Sequence, residues 1–225
     1  MPPKPKYTRE GIAAVALDIV KEDGLAALTA RELGRRLGTS VRPVFTYFKN
    51  MEDVKMAARE LALAEFKEYI SDYQEYTPAF KRIGIMMVSY GIHEPELFKL
   101  LFMQEHESET GFRNTLQDLD DIPNVCVELI RRDYGMTQEE AQMIFEQLWI
   151  QVFGMGTMCA MRVISLNDEE IGKHVSVIFA GLVMLITSGK LQDIYSDVEK
   201  KTDDTYHGMK LMNMPFAKEA SLSNN

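Results

Sequence analysis

Between Thr29 and Lys49 the chain concentrates slender or cationic side chains that donate hydrogen bonds: Thr29, Arg31, Thr39, Ser40, Arg42, Thr46, Tyr47 and Lys49. Groups of this kind suit the edges of base pairs and the phosphates beside them. An arginine such as Arg42 can hold a guanine through two parallel bonds, a pairing worth roughly 1 to 3 kcal/mol of discrimination. Val41 and Pro43, set among these donors, offer apolar contact to a thymine methyl. Thr29, Tyr47 and Lys49, with Lys4, Lys6 and Arg9 upstream, fit phosphates, which fix register without reading sequence.

Other chemistries are less well supplied. His93-Glu94 and Glu105-His106-Glu107 place metal-ligand types side by side, but neighbours on a helix point apart and do not converge on one ion. His174 and His207 stand alone, so neither a metal nor a cofactor is expected. Cys126 and Cys159 each sit in an apolar helical pattern, which reads as reduced packing residues and not as a disulfide or zinc framework. No Ser/His/Asp or Cys/His arrangement and no phosphate-cradling glycine loop is present, so an enzyme is not expected.

The elements that must position these residues are helices. Apolar residues recur at i, i+3 and i+4 along nearly the whole of the 225 residues, while period-2 alternation is almost absent, so the fold class is all-α. A first helix runs from about Thr8 to Glu22 and stops at Asp23-Gly24. Thr29 and Glu32 form a capping box for a second, which ends at Gly38. Ser40 is expected to cap a third over Val41 to Tyr47, with Pro43 in its first turn. A fourth, linking helix spans 50–73. Later helices open at Thr77-Pro78 and at Pro95, and another covers 112–134 with a kink at Pro123. Capping signals at Thr137 and Asn167 start two long ones, near 141–166 and 171–188.

Those last two helices are apolar over more than half their circumference. One face can serve the chain's own core and the other a partner subunit, with Gly154, Gly156 and Gly181 permitting close approach there. The longest stretches without charge or His are 15 residues, short of the ~18 to 20 of a membrane span, and the basic N-terminus leads into no apolar signal region. A cytoplasmic protein without membrane attachment is expected. Net charge is −9, yet residues 1–50 carry nine Lys/Arg against five Asp/Glu, a balance of +4 that leaves −13 on the remainder. A basic head on an acidic body is the split expected when only the head meets a polyanion. The domain plan is therefore an arm and head over 1–50, a helical body over 51–199 and a polar tail over 200–225.

The run from Leu28 to Val41 (Leu-Thr-Ala-Arg-Glu-Leu-Gly-Arg-Arg-Leu-Gly-Thr-Ser-Val), followed by Val44-Phe-Thr-Tyr-Phe-Lys-Asn50 and Glu52-Asp53-Val54, resembles the DNA-binding domain of the TetR family of bacterial transcription regulators. Arg31 falls where some members read a base from the second helix. The chain departs from the common pattern at Phe45, usually Tyr, and at Met51, usually a phosphate-binding Lys that Lys49 or Lys55 would replace. The resemblance implies a homodimer joined through the two long C-terminal helices. It also implies a repressor on a palindromic operator, released when a small, largely apolar molecule enters the body.

Residues that would line such a pocket are Met86, Met87, Tyr90, His93, Phe98, Phe102, Met103, His106, Phe112, Trp149, Phe153 and Met158. Fifteen methionines suit an adaptable apolar site, although each of these residues also fits ordinary core packing. The rival reading is a DNA-binding regulator whose body only dimerises or docks a protein.

Overall fold

The computed structural model describes residues 7–104, 116, 119–191 and 193–194, and every regular element among them is helical. The order is α1 (Arg9–Asp23), α2 (Ala30–Arg36), α3 (Val44–Tyr47), α4 (Met51–Tyr69), α5 (Ala79–His93), α6 (Pro95–Phe102), α7 (Ile122–Tyr134), α8 (Gln138–Ala160) and α9 (Asp168–Thr187). The chain divides into two compact units after Gly181, within α9.

Local chemistry starts most of these helices. Thr8 Oγ1 accepts from the Gly11 amide at 3.0 Å, and Asn50 Oδ1 accepts from Asp53 at 2.9 Å. Thr137 and Glu140 exchange two bonds in a complete capping box, as do Asn167 and Glu170. Gly24 and Gly135 end α1 and α7 at positive φ, where a side chain would be strained.

Several elements differ from expectation. Thr29 Oγ1 accepts from the Glu32 amide at 3.2 Å, but the Glu32 carboxylate does not reach back; it turns to Arg35 and Arg36. The third helix begins at Val44 with no side-chain cap. The amide a Ser40 hydroxyl would accept from, three residues on, belongs to Pro43, which has none. The fourth helix ends at Tyr69 and passes into a 3-10 turn over Ser71–Glu75. Pro78 caps α5 and stands outside its first turn. Pro123 lies in the first turn of α7, so it starts that helix where a kink was expected. α8 closes at Ala160, short of 166.

In the first unit, α5 packs along α8, with α7 and α6 also against α8, while α1 packs on both α4 and α6. The α5/α8 crossing is close: a Cβ at Gly91 would stand 2.7 Å from the Gly156 carbonyl oxygen, and one at Gly156 would meet the Phe98 ring at 2.6 Å. Gly156 is thus spent inside the subunit, whereas Gly154 and Gly181 face open space. Among the described residues α9 alone is long and apolar enough to cross a membrane, and its first turn bears Asp168, Glu169 and Glu170.

Candidate nucleic-acid interface and body core

The head is built on Ile12, Ala16, Ile19, Val20, Leu33, Val44, Phe48 and Val54, all buried. This core holds α2 and the short α3 together across a turn in which Gly38 adopts φ 64° and Thr39 N donates to Gly34 O at 3.0 Å. The turn leaves Thr29, Arg31, Ser40, Arg42, Thr46, Tyr47 and Lys49 exposed, with Thr39, Val41 and Pro43 half-buried beside them. Val41 leans inward, its Cγ1 3.4 Å from where a Cβ on Gly34 would lie.

Charge on this surface is sorted by ion pairing. Arg36 is held by Glu22, Asp23 and Glu32 at 2.7 to 2.9 Å, and Arg35 pairs with Glu32. Lys55 pairs with Glu52 at 2.8 Å. Among the described residues Arg31, Arg42 and Lys49 carry no such partner, so their positive charge is uncompensated where it faces solvent. Of the two lysines considered in place of the lysine absent at Met51, Lys49 is the one left free of an ion pair.

Hydrogen bonds from Arg35 first, then Arg36, hold the Glu32 carboxyl down at about 2, against an ordinary 4.5. A depressed carboxyl contributes stability that is complete above pH 4.5 and lost as pH falls toward 2. The stability difference between the native chain and Glu32→Gln should therefore shrink across that window, as read by urea titration at stepped pH. A constant difference would show the bonds to be inert.

Tyr47 has a second engagement that the sequence did not indicate. Its hydroxyl donates to the Tyr7 carbonyl at 2.8 Å, while the Tyr7 hydroxyl donates to Leu37 O at 3.4 Å and Arg9 lies 4.9 Å from the Phe48 ring centre. The start of α1 is thereby fastened to α3 and to the end of α2. Residues before Tyr7, Lys4 and Lys6 among them, lie outside the described residues.

In the body, Met86, Met87, Tyr90, Phe98 and Trp149 are buried, and Phe102, Met103 and Phe153 are half-buried. His93 and Met158 are at the surface, so neither lines an interior space; Met158 lies on the outer side of α8. His106 and Phe112 lie outside the described residues. An interior cavity of about 40 Å³ is lined by Phe80, Ile83, Gly84, Met87, Cys126, Ile130, Phe145, Leu148, Trp149, Val152 and Val175. Among the described residues, Met87 and Trp149 are the expected pocket residues that reach it. The others come from α5, α7, α8 and α9, whose convergence no helical periodicity reveals. Burial pushes the Cys126 thiol up to about 12, so it stays protonated and serves as wall.

A chain of aromatic contacts runs beside this cavity. Ring centres lie 5.7 Å apart for Phe145–Trp149, 6.2 Å for Trp149–Phe102, 5.3 Å for Phe102–Phe66 and 5.0 Å for Phe66–Tyr90. Tyr90 is 2% exposed, and its hydroxyl has no hydrogen-bond partner among the described residues. Ser89 next to it is also buried but donates to Asp168 at 2.8 Å, tying α5 to the start of α9. Among the described residues no group of three His, Cys, Asp or Glu converges as metal ligands.

Residues 12–58 match the family model described as bacterial regulatory proteins, tetR family. A solved structure of a protein with unknown function from Rhodococcus sp. RHA1 is similar at TM-score 0.63 with 17% identity, covering 80% of this chain and 98% of that one. A possible TetR family transcriptional regulator from Streptomyces coelicolor A3(2) is similar at TM-score 0.50 with 15% identity, covering 82% and 99%. The fatty acid degradation regulator FadR from Bacillus halodurans is similar at TM-score 0.50 with 14% identity, covering 81% and 96%. At these identities the likeness is one of fold. No curated protein matches the chain.

Proposed function

We propose, from the match of residues 12–58 to the tetR family model and the likeness of fold to a solved possible TetR regulator, that the chain is a DNA-binding regulator and acts in the cytoplasm as a homodimeric repressor. In this reading the head (1–50) binds half of a palindromic operator, and the body (51–199) dimerises and takes a small apolar effector that releases the DNA. The observation that carries the DNA reading is the surface left by ion pairing: Arg31, Arg42 and Lys49 stay exposed and unpaired while their basic neighbours are neutralised within the fold. Arg42, with Thr39, Ser40, Val41, Pro43 and Thr46, would enter the major groove. Thr29 and Lys49 would hold phosphates, Tyr47 would join them by turning its hydroxyl proton from the Tyr7 carbonyl to a phosphate, and Arg31 would approach a base from α2.

The dimer reading is supported by the apolar groups that α8, α9 and their connection expose: Ile150 at 55%, Met161 at 57%, Val163 at 66% and Val177 at 71%, with Met158 and Ile178 at 40% each. An apolar patch rimmed by charge is a feature of surfaces that associate. A second copy of the same chain supplies a matching patch by two-fold symmetry, and two heads so joined reach half-sites about one helical turn apart.

Selection of bound sequences from a genomic pool at near-physiological salt tests the whole reading. A recovered palindrome supports it, and failure to enrich any sequence overturns it. With the operator in hand, Arg42→Ala should weaken specific binding by roughly 1 to 3 kcal/mol and relax preference at one position per half-site. Titration against the operator and against single-base variants of it measures both effects; unchanged affinity would remove Arg42 from the groove.

One observation favours the rival in which the body takes no small molecule. The interior cavity holds about 40 Å³, whereas preformed ligand sites run to roughly 300 to 1,000 Å³; a larger space, about 530 Å³, lies beside the exposed Tyr76, Arg132 and Tyr134 and outside the apolar core. Release of the operator by members of a broad apolar library would exclude that rival. Tight operator binding that no compound disturbs would establish it.

A further inference from the structure

The exposed phenol at the end of α3 is tied to the stretch of chain in front of α1. The Tyr47 hydroxyl donates to the Tyr7 carbonyl at 2.8 Å, so a phosphate that takes this proton instead comes within about 6 Å of Tyr7. Tyr7 keeps its place without the Tyr47 bond. Its own hydroxyl donates to Leu37 O, at the end of α2, at 3.4 Å. The two residues after it are fixed as well, Thr8 as the cap of α1 and Arg9 by its guanidinium, 4.9 Å from the Phe48 ring centre. The chain is thus pinned beside the phosphate at the last residue before the α1 cap. We propose that the segment before Tyr7 is an arm that passes from this point into the minor groove flanking each half-site, where Lys4 and Lys6 favour A·T base pairs. This rests on the reading of the head as DNA-binding and extends what the head recognises beyond the major groove.

The composition of the segment suits that partner. No Asp or Glu precedes Glu10, whereas Lys4, Lys6 and Arg9 are all cationic. Prolines at 2, 3 and 5 restrict backbone freedom in any state, so less is lost when the segment is ordered against DNA. With the major groove occupied by α3, the space open to a chain held at the phosphate rim is the adjacent minor groove. A·T runs narrow that groove and strengthen its negative potential, which attracts inserted lysines. G·C pairs place the guanine 2-amino group in the same space. Phosphate contact alone would fix register and carry no such preference.

The test runs selection from a random duplex pool in parallel for the full-length chain and for the double variant Lys4→Gln with Lys6→Gln, whose melting temperature should match. Both are expected to recover the same half-sites, and only the native chain an A·T preference in the base pairs just outside them. On the recovered palindrome, exchanging the flanking A·T pairs for G·C should weaken the native chain about tenfold and the double variant less than about twofold. Flanks of inosine·cytosine, which lack the 2-amino group but keep the major-groove edge of G·C, should restore native binding. Half-sites without a flanking preference, a preference that the double variant keeps, or inosine flanks that bind no better than G·C would each overturn the arm and leave the regulator reading intact. So would an affinity loss in the variant that is equal on all flanks, which would mark the lysines as phosphate contacts. A pool from which neither protein enriches any sequence would overturn both readings.

Discussion

Glutamate in place of Val177 should leave the purified protein monomeric at micromolar concentration and deprive it of specific operator binding. Val177 is 71% exposed in the isolated chain, so the change costs the fold itself little. In a symmetric dimer joined through this face the new carboxylate would be buried twice, once in each subunit. Burying unpaired charge costs several kcal/mol per ion, which corresponds to a weakening of self-association by about 100-fold or more. A monomer presents one head and forfeits the second half-site. Sedimentation velocity beside far-UV circular dichroism decides the matter: monomers with native helicity are expected, and Ile178→Glu should behave alike. Persistent dimers in both variants would move the interface elsewhere.

The second large effect concerns the crossing of α5 and α8, where two glycines give opposite expectations. A Cβ on Gly91 would lie 2.7 Å from the Gly156 carbonyl oxygen and 3.3 Å from its Cα. The obstacle is backbone in a long helix and cannot turn aside. Gly91→Val should therefore cost about 3 kcal/mol, the upper end of overpacking penalties, and lower Tm by roughly 6 to 12 °C. Gly84, two turns earlier on the same helix, faces only Val152 Cγ1 at 3.4 Å and borders the cavity. Gly84→Ala removes helix-interior glycine and fills vacant volume, so it should raise stability by up to about 1 kcal/mol. Calorimetry of the two variants tests the contrast; a shift of the same sign in both would show that the crossing has room to adjust.

These expectations indicate where the sequence was sufficient. Helix starts at Thr8, Asn50, Thr137 and Asn167 were legible because the cap and the amide it serves lie within three residues of each other. The same logic, carried one step further, would have caught the misassigned start of α3: the donor a Ser40 cap needs belongs to Pro43. The head's exposed donors were legible as a cluster, since the turn that presents them is local. The bond from Tyr47 to Tyr7 was not, because it joins residues 40 apart and depends on how α3 is seated. Likewise, the apolar pattern of α5 and α8 did not tell which residues would meet an internal void. That depended on Gly91 and Gly156 drawing the two axes together, which also turned Gly156 inward when it was expected at a subunit boundary. Met158 shows the converse: an apolar residue at helical spacing that the fold leaves outside.

The small volume of the interior cavity bears on how such a protein would be tuned. If a molecule enters the body, it meets a conformer whose walls have parted, and that conformer is a minority of the resting population. Apparent affinity is then the intrinsic affinity multiplied by the fraction already open. Sensitivity to an inducer is consequently adjustable from residues that never touch it. A tighter core, as in Gly84→Ala, raises the threshold concentration, and a looser one, as in Met87→Ala, lowers it while shortening the lifetime of the folded chain. Mutations that alter dose response in this protein need not cluster around the bound molecule, and their direction follows from what they do to the stability of the closed core.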